Sequence, residues 1–189
     1  TYDAASRSIR FSPSTPLAPQ TKYTVTPSAK DASGRALESG AAWSFTTTGA
    51  DLPEGTCPCS LFPESTVPAI ASTADPDAVT LGVKVTVGAS GTVSGLRYYK
   101  GRANTGTHVG ILWSATGSEL ARATFTDDTA EGWQVATFST PVSVAAGTTV
   151  VASYTAPAGG YAVTTGRFAS PYARGPLSVP ANGAVYTYT

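Results

Sequence analysis

The sequence contains little charge and no long apolar segment. Twelve Lys and Arg residues balance twelve Asp and Glu residues in a chain of 189, so the formal net charge is zero. Nucleic acids and anionic membranes need a basic surface, so neither is an expected partner. No apolar run approaches the roughly 18 residues that a membrane-spanning helix requires. No segment keeps a helical period, so we expect almost no helix.

Methionine is absent, and the chain has only one histidine and two cysteines. The first residues, Thr-Tyr-Asp, already resemble a strand and show no signal-peptide pattern. These features predict an internal or carboxy-terminal piece of a longer, processed protein; the alternative is an intact protein whose first residues were cleaved. Few lysines and abundant Thr, Ser, Ala and Gly suit a secreted bacterial protein. We therefore expect a secreted or cell-surface location.

Apolar and polar residues alternate along much of the chain, most clearly between Thr80 and Thr126. This period of two is typical of half-buried strands, and 19 glycines and 14 prolines supply turns between them. The pattern predicts an all-β fold whose second module is a closed two-sheet sandwich of jelly-roll type. The strands expected in that module are 78–87, 91–99, 108–114, 120–125, 132–138, 149–154, 161–165 and 183–188. The expected interior residues are Val83, Val85, Trp113, Phe125 and Trp133.

The first module, residues 1–48, has room for few strands, which we expect at 7–11, 22–26 and 42–46. An immunoglobulin-type sandwich needs about 100 residues, so the missing strands should precede residue 1 or come from a partner. Residues 49–56 contain Gly and Pro without a packing pattern and are predicted to be a linker. The second module is predicted for residues 57–189.

Three motifs mark the first module: a Pro-Leu-Ala-Pro-x-Thr-x-Tyr-Thr-Val strand, a Lys-Asp-Ala-x-Gly turn and a closing Trp-Ser-Phe-Thr-Thr strand. They occupy residues 16–25, 30–34 and 43–47. In this order they resemble the second half of the bacterial Ig-like domains of surface-layer and secreted multidomain proteins. The resemblance implies an incomplete Ig-like sandwich that serves for spacing and presentation rather than catalysis.

The second module carries its own landmarks: Cys-Pro-Cys-Ser-Leu-Phe at 57–62, Asp-Pro-Asp at 75–77, Gly-Thr-His at 106–108 and Gly-Trp-Gln at 132–134. With the block 151–161, these resemble the "domain of unknown function 4082" family, common in secreted actinobacterial proteins. The resemblance implies an accessory module of secreted enzymes and surface proteins, often beside Ig-like domains, with no established activity. Family members often carry histidines where this chain has Thr155 and Gly160, which argues against a metal or proton-transfer role here.

His108 is the only histidine, so a multi-histidine metal site is excluded. A nucleophilic triad would need this histidine beside a serine, and no Gly-x-Ser-x-Gly elbow occurs. We therefore expect no enzyme activity in this chain. For His108 itself, ordering of its loop by hydrogen bonds is the first interpretation, and contact with a ligand is the second.

Cys57 and Cys59 are separated by Pro58. A secreted setting favours oxidation, and a turn centred on the proline could bring the two residues close enough for a disulfide. Separate thiols are the alternative; metal binding by two thiolates alone would lack two further ligands. The spacing differs from the C-x-x-C of thioredoxin-type redox pairs.

Acidic residues on predicted loops are weak candidates for a structural calcium ion, because carboxylates are the hard oxygen ligands that calcium prefers. The candidates are Asp75, Asp77, Asp127 and Asp128, with Glu131 nearby. Solvated or turn-capping carboxylates are the alternative. No other cofactor is expected.

Aromatic residues are numerous for so polar a chain, with nine Tyr, six Phe and three Trp. Tyr98 and Tyr99 are adjacent, so one of them must face outward from a strand. Exposed rings beside polar side chains would suit stacking against sugar rings, whereas ordinary packing is the alternative. The predicted ligand-binding residues are Tyr99, Arg102, Asn104, His108, Tyr154 and Tyr161.

These observations predict a non-catalytic accessory module of a secreted or cell-surface bacterial protein. Its Ig-like part would act as a spacer, and its second module would bind polysaccharide, a cell-surface glycan or a neighbouring domain. A different hypothesis is a structural subunit of an extracellular assembly, in which another strand completes the Ig-like half. A third is part of a secreted hydrolase.

Overall fold

The computed structural model describes residues 57–126 and 128–188 and, within the first fifty residues, 2–3, 8–9, 13, 15, 17, 21–26, 30, 33–35 and 42–46. The chain divides into two compact units, Thr1–Ala50 and Asp51–Thr189. All regular structure in the described residues is β, which confirms the predicted fold class. The predicted linker 49–56 lies outside the described residues.

The first unit contains two antiparallel strand pairs. Strand β1 (Tyr2–Asp3) pairs with β2 (Ser8–Ile9), and β3 (Lys22–Val25) pairs with β4 (Trp43–Thr46). Tyr23 lies opposite Phe45 with ring centroids 5.8 Å apart, and the Trp43 ring lies 5.7 Å from Phe45. Trp43 and Phe45 therefore lie on the same face of β4. Of the strand predicted at 7–11, only Ser8–Ile9 falls within the described residues.

The second unit is built from antiparallel strands in two layers. Its strands are β5 (Val79–Val87), β6 (Gly91–Lys100), β7 (Val109–Ser114), β8 (Glu119–Thr124), β9 (Gly132–Val144), β10 (Thr149–Ala156), β11 (Tyr172–Arg174), β12 (Leu177–Val179) and β13 (Ala184–Tyr188). Seven strands form one sheet in the order β11-β12-β5-β10-β7-β8, and β13 also pairs with β5. Strands β6 and β9 pair separately as the second layer.

Apolar side chains fill the space between the layers. The large sheet contributes Val85, Leu112 and Val150, and β9 contributes Phe138 and Val144; all five are buried. Val150 lies opposite Val85 in the register of β10 and β5, so the two side chains share the inner face. Full burial of one such side chain stabilises the fold by about 1.5–3 kcal/mol.

Successive residues of a strand face opposite sides of the sheet, so only some of the predicted interior residues face the core. Val85 and Phe125 are buried as expected, and Val83 packs against the core while half-buried. Trp113 and Trp133 are also only half-buried, and both point away from the space between the layers. The prediction that these two tryptophans are internal is therefore wrong.

Each tryptophan faces outward because its sequence neighbour faces inward. Leu112 occupies the core beside Trp113, and Gln134 is buried beside Trp133. The indole nitrogen of Trp113 donates to Ser153 Oγ at 2.9 Å, and that of Trp133 donates to the Thr66 carbonyl at 3.0 Å. On the outer faces, both indole N–H groups thus find hydrogen-bond acceptors, as large aromatic side chains with a polar atom require.

The strand predicted at 161–165 is wrong. Only one isolated bridge, between Val163 and Ile70, forms there. Left-handed glycines at 159, 160 and 166 bend the backbone away from an extended course. Conversely, the hairpin of β11 and β12 was not expected, because Gly175 and Pro176 between the two short strands indicate a loop.

Strand β9 runs further than predicted, through Pro141 to Val144. A register shift at Val93 to Gly95 absorbs the extra residues, and β9 pairs only with β6, so the missing N–H of Pro141 is tolerated. The jelly-roll form of the sandwich stays a prediction, since the described strands divide into seven and two rather than two equal sheets.

Val144→Ala should lower the free energy of unfolding by about 2 kcal/mol, because the lost methyl groups leave a cavity between the layers. Val135→Ala is the matched control: it removes the same atoms from the same strand, where Val135 is 55% exposed. Urea denaturation should place that control within about 0.5 kcal/mol of the unchanged protein. Equal losses in both variants would contradict the two-layer core.

Candidate functional site

A buried polar network joins β6, β7 and the loop between them. Asn104 and His108 on this loop have no solvent exposure. His108 Nδ1 lies 2.9 Å from Asp128 Oδ2, and its Nε2 lies 2.8 Å from Asn104 Oδ1. The imidazole therefore connects the middle of the loop, at Asn104, to the segment that carries Asp128.

The Asp128 carboxylate is the centre of this network. Besides its contact with His108, its Oδ2 accepts hydrogen bonds from Tyr98 Oη at 2.8 Å and Lys100 Nζ at 3.2 Å. Burial, followed by the contact with Asp128, raises the pKa of Tyr98 far above its ordinary value, so the phenol stays protonated and donates. Since removing one partner of a buried charge is costly, this carboxylate holds β6 and the loop together.

Gln134 positions the segment that carries Asp128. Its Nε2 donates to Thr129 Oγ1 at 2.7 Å and to the Gly132 carbonyl at 2.9 Å, while its Oε1 accepts from the Thr129 backbone N–H. The buried amide thus closes the turn that precedes β9. The sequence analysis missed this role, because a glutamine between Trp133 and Val135 has no local sign of being buried.

The protonation state of His108 follows from its surroundings. Burial lowers its pKa, and the opposing attraction of Asp128 is the smaller effect. Neutral His108 donates from Nδ1 to Asp128, which leaves Nε2 as an acceptor. Asn104 Nδ2 has no hydrogen-bond partner among the described residues. Turning this amide by 180° would let Nδ2 donate to Nε2 of His108, which gives both nitrogens a partner.

The predicted ligand-binding residues divide between the interior and the surface. Asn104 and His108 are fully buried, so they fit loop ordering and not contact with a ligand. Tyr154 stacks on the buried Tyr98 ring at 4.3 Å. The outward neighbour Tyr99 packs edge-on against Trp133, which confirms that one of the adjacent tyrosines faces outward.

Arg102 is the most accessible of the predicted binding residues, with its side chain 80% exposed. It pairs with Glu131 at 2.8 Å, on the surface above the buried network. The Tyr161 hydroxyl instead donates to Asp75, which is not among the predicted ligand-binding residues. The structure therefore does not bring the six predicted residues together into one surface.

The sequence analysis did not predict a cluster of tyrosines that lies at the edge of the large sheet. Tyr186 and Tyr188 on β13 are 69% and 52% exposed, with ring centroids 5.8 Å apart and planes at 81°. The hydroxyl of Tyr188 donates to Asp75 Oδ2 at 2.8 Å, and that of Tyr161 donates to the same oxygen at 3.2 Å. We refer to Tyr161, Tyr186 and Tyr188 with Asp75 as the tyrosine platform.

Strand register explains where the platform lies. Tyr154 on β10 is opposite Leu81 on β5, and Leu81 is opposite Tyr186 on β13. Directly opposed residues share a face, so Tyr186 and Tyr188 are on the side of the sheet that carries the second layer. Tyr154 is covered by that layer through Tyr98, whereas Tyr186 extends past it.

Two glycines bring the loop of Tyr161 against Asp75. Gly159 and Gly160 have φ near +60°, and the Gly160 N–H donates to the Asp75 carbonyl at 2.8 Å. A Cβ at Gly159 would overlap the Asp75 carbonyl, and one at Gly160 would overlap that of Ala103. Asp75 Oδ1 also accepts from the Asp77 backbone N–H at 3.0 Å. The carboxylate is thus held in one orientation from both sides.

The two cysteines lie together on the surface. Their Sγ atoms are 2.6 Å apart, closer than the contact distance of two separate thiols. Burial, and then the neighbouring Cys57, raise the pKa of Cys59 to about 11, so its thiol form is poorly suited to bind metal or attack as a thiolate. Both cysteines are free thiols in the structure, so the Cys57–Cys59 disulfide stays a prediction.

The calcium candidates do not converge in the described residues. Asp75 belongs to the tyrosine platform and Asp128 to the buried network, while Asp127 lies outside the described residues. Within residues 57–126 and 128–188, no three His, Cys, Asp or Glu side chains form a metal-binding group. A structural calcium ion stays a prediction.

Comparison with known protein families matches both units. The family described as "Domain of unknown function (DUF4082)" covers residues 65–189, about two thirds of the chain. The chain belongs to this family. Residues 1–47 match a second family, described as "Bacterial Ig-like domain". Neither the curated proteins nor the solved structures contain a match.

The resemblances to both families are confirmed. A DUF4082 domain after a bacterial Ig-like domain indicates an accessory module of a bacterial surface protein. In the described residues, no helix has the length and apolar character to cross a membrane. The buried network and the tyrosine platform both belong to the DUF4082 domain.

The buried His108 predicts a loss of stability in mild acid. Its pKa is lower in the folded chain than the ordinary value of about 6.5 in the unfolded chain. Below pH 7 the unfolded state therefore binds more protons, and the free energy of unfolding should fall between about pH 7 and pH 5. His108→Gln should flatten this part of the pH profile in urea denaturation, although its stability at pH 8 is lower. The same slope in both proteins would contradict a neutral, buried His108.

The cysteine pair predicts a local disulfide with little effect on stability. The unfolded, unreduced protein should have no titratable thiol, and reduction should raise its mass by about 2 Da without changing its oligomeric size. Since so small a loop restricts the unfolded chain less than a long one, reduction should lower the free energy of unfolding by no more than about 2 kcal/mol. Two reactive thiols before reduction would contradict the pairing.

Proposed function

We propose that the DUF4082 domain is a non-catalytic carbohydrate-binding module of a secreted or cell-surface bacterial protein, and that the Ig-like unit acts as its spacer. The observation that carries this proposal is the tyrosine platform. The Tyr161 and Tyr188 hydroxyls meet on one carboxylate, and the Tyr186 ring packs edge-on against Tyr188; Tyr186 and Tyr188 are largely exposed. The ligand expected there is a polysaccharide or a cell-surface glycan.

The chemistry of the platform suits a sugar. The faces of pyranose rings are lined with C–H groups, which pack on flat aromatic rings, and tyrosine presents such a ring at low entropic cost. The Tyr161 and Tyr188 hydroxyls donate to Asp75, and a hydroxyl oxygen that donates can still accept a hydrogen bond from a ligand hydroxyl. Asp75 fixes both hydroxyls before a ligand arrives, which lowers the cost of ordering on binding.

The buried network supports a role without catalysis. His108 and Asp128 are the only imidazole–carboxylate pair, but His108 is inside the fold and its second nitrogen faces Asn104 instead of a nucleophile. A general base must reach the proton that it removes. We assign this pair to holding the loop that packs against the Gly159–Gly160 turn of the platform.

Tyr186→Ala should weaken retention on a bound polysaccharide about 3- to 10-fold, since an aromatic stacking contact contributes about 0.5–1.5 kcal/mol. Its melting temperature should stay unchanged, because the side chain is 69% exposed. The measurement is a pull-down of the full chain on insoluble chitin, cellulose and peptidoglycan, with quantified bound fractions.

Leu120→Ala is the control variant, because Leu120 is an exposed apolar residue on β8, away from β13 in the sheet order. It should be retained like the unchanged protein. The proposal fails if no polysaccharide retains the chain, or if both variants lose retention equally.

A further inference from the structure

The platform carries negative charge that no basic side chain among the described residues neutralises. In the part of the chain that the structure describes, neither Asp75 nor Asp77 has a salt-bridge partner, whereas the carboxylates of Glu64, Glu119, Asp128 and Glu131 each contact a basic side chain. Hydrogen bonds, first from the Asp77 N–H and then from Tyr188, lower the pKa of Asp75. This carboxylate is therefore ionised at neutral pH, beside two exposed rings.

The tyrosine rings near Asp75 also favour the binding of a cation. The face of an aromatic ring is its negative part, and a cation over a tyrosine is stabilised even at an exposed site. The planes of Tyr186 and Tyr188 are nearly perpendicular, so the faces of the two rings point in different directions. The hydrogen bond to Asp75 raises the pKa of Tyr188, which keeps that ring a neutral phenol.

The Asp75 carboxylate can accept a further hydrogen bond from a ligand. A carboxylate offers about four acceptor positions. In Asp75, Oδ1 accepts from the Asp77 N–H, and Oδ2 accepts from the Tyr161 and Tyr188 hydroxyls. A ligand N–H can use the remaining position. An anionic sugar would instead meet two carboxylates of like charge.

We propose that the tyrosine platform selects glycans that carry free amino groups, that is, 2-amino-2-deoxy sugars whose nitrogen is protonated and not acetylated. The C–H face of such a sugar packs on Tyr186 while its ammonium group pairs with Asp75. This inference rests on the proposed function, because it names the class of glycan that the same surface binds. Neutral glycans bind the rings without the ionic contact, so they bind more weakly.

The test compares two polymers with the same backbone. Chitosan carries free amines, and chitin carries the same sugars in N-acetylated form. The full chain is incubated with particles of each polymer at mildly acidic pH, where sugar amines are protonated, and the melting temperature is measured at the same pH. Retention should be about 3- to 5-fold higher on chitosan, the gain expected of an exposed ion pair, and the excess should disappear in high salt.

Asp75→Asn should abolish the preference, so that the ratio of retention on chitosan to retention on chitin falls to about one, because the neutral amide cannot form an ion pair with a protonated amine. Glu119→Gln is the matched control: it removes one negative charge from β8, where Glu119 pairs with Arg122. This control should keep the preference, which separates a specific contact from general attraction of an acidic surface to a basic polymer.

The outcomes distinguish the two claims. Equal retention on chitosan and chitin, an unchanged preference in Asp75→Asn, or an equal loss in Glu119→Gln each overturns the selection for amines. Displacement by poly-lysine at lower amine concentration than by glucosamine oligomers also overturns it, since a basic peptide is then the better occupant. Absence of retention on every polymer instead overturns the proposed carbohydrate binding itself.

Discussion

The pairing of strand β5 on both edges is the constraint on which the second unit depends. One edge of β5 pairs with β10 from Val79 to Thr86, and the other edge is shared by β13 and β12. This arrangement places the valines of β5 in the core and sets the register of β13. The same register that buries Val85 therefore exposes Tyr186 and Tyr188 at the edge of the sheet.

Two carboxylates, those of Asp128 and Asp75, connect the loops to the strands through hydrogen bonds. Asp128 holds β6 and the 101–108 loop through Tyr98, Lys100 and His108. Asp75 holds the hydroxyls of Tyr161 and Tyr188. The first carboxylate is inside the fold and stabilises it, whereas the second is at the surface with spare capacity to accept a ligand. The DUF4082 domain of this chain thus contains one polar network inside the fold and, at the surface, a second to which we assign ligand binding.

The local alternation of apolar and polar residues was sufficient to predict much of the fold. Alternation along 78–87 predicts β5, and adjacency of Tyr98 and Tyr99 predicts that one ring faces outward. It was harder to predict which residues of a strand face the core, because alternation alone does not tell which face of the sheet meets the second layer. Trp113 and Trp133 therefore appear internal from sequence and lie on the outer faces, where Ser153 and Thr66 accept from their indoles.

The candidate site was harder to predict than the fold. The tyrosine platform joins residues 75, 161, 186 and 188, which only the pairing of β13 with β5 and the glycine turn at 159–160 bring together. Of the six predicted binding residues, Tyr161 alone belongs to it. His108 and Asn104 looked like ligand contacts because polar residues in a Gly-rich loop are usually exposed, and the burial that gives them a structural role depends on Asp128, twenty residues further on.

Nuclear magnetic resonance of the tyrosine rings tests the central claim most directly, because the nine tyrosines of the chain report on the platform and on the interior together. During titration with a soluble glucosamine oligomer, the ring signals of Tyr161, Tyr186 and Tyr188 should move, while that of the buried Tyr98 stays in place. Movement of the Tyr99 signal alone, or no movement of the platform signals at saturating oligomer, would contradict the account.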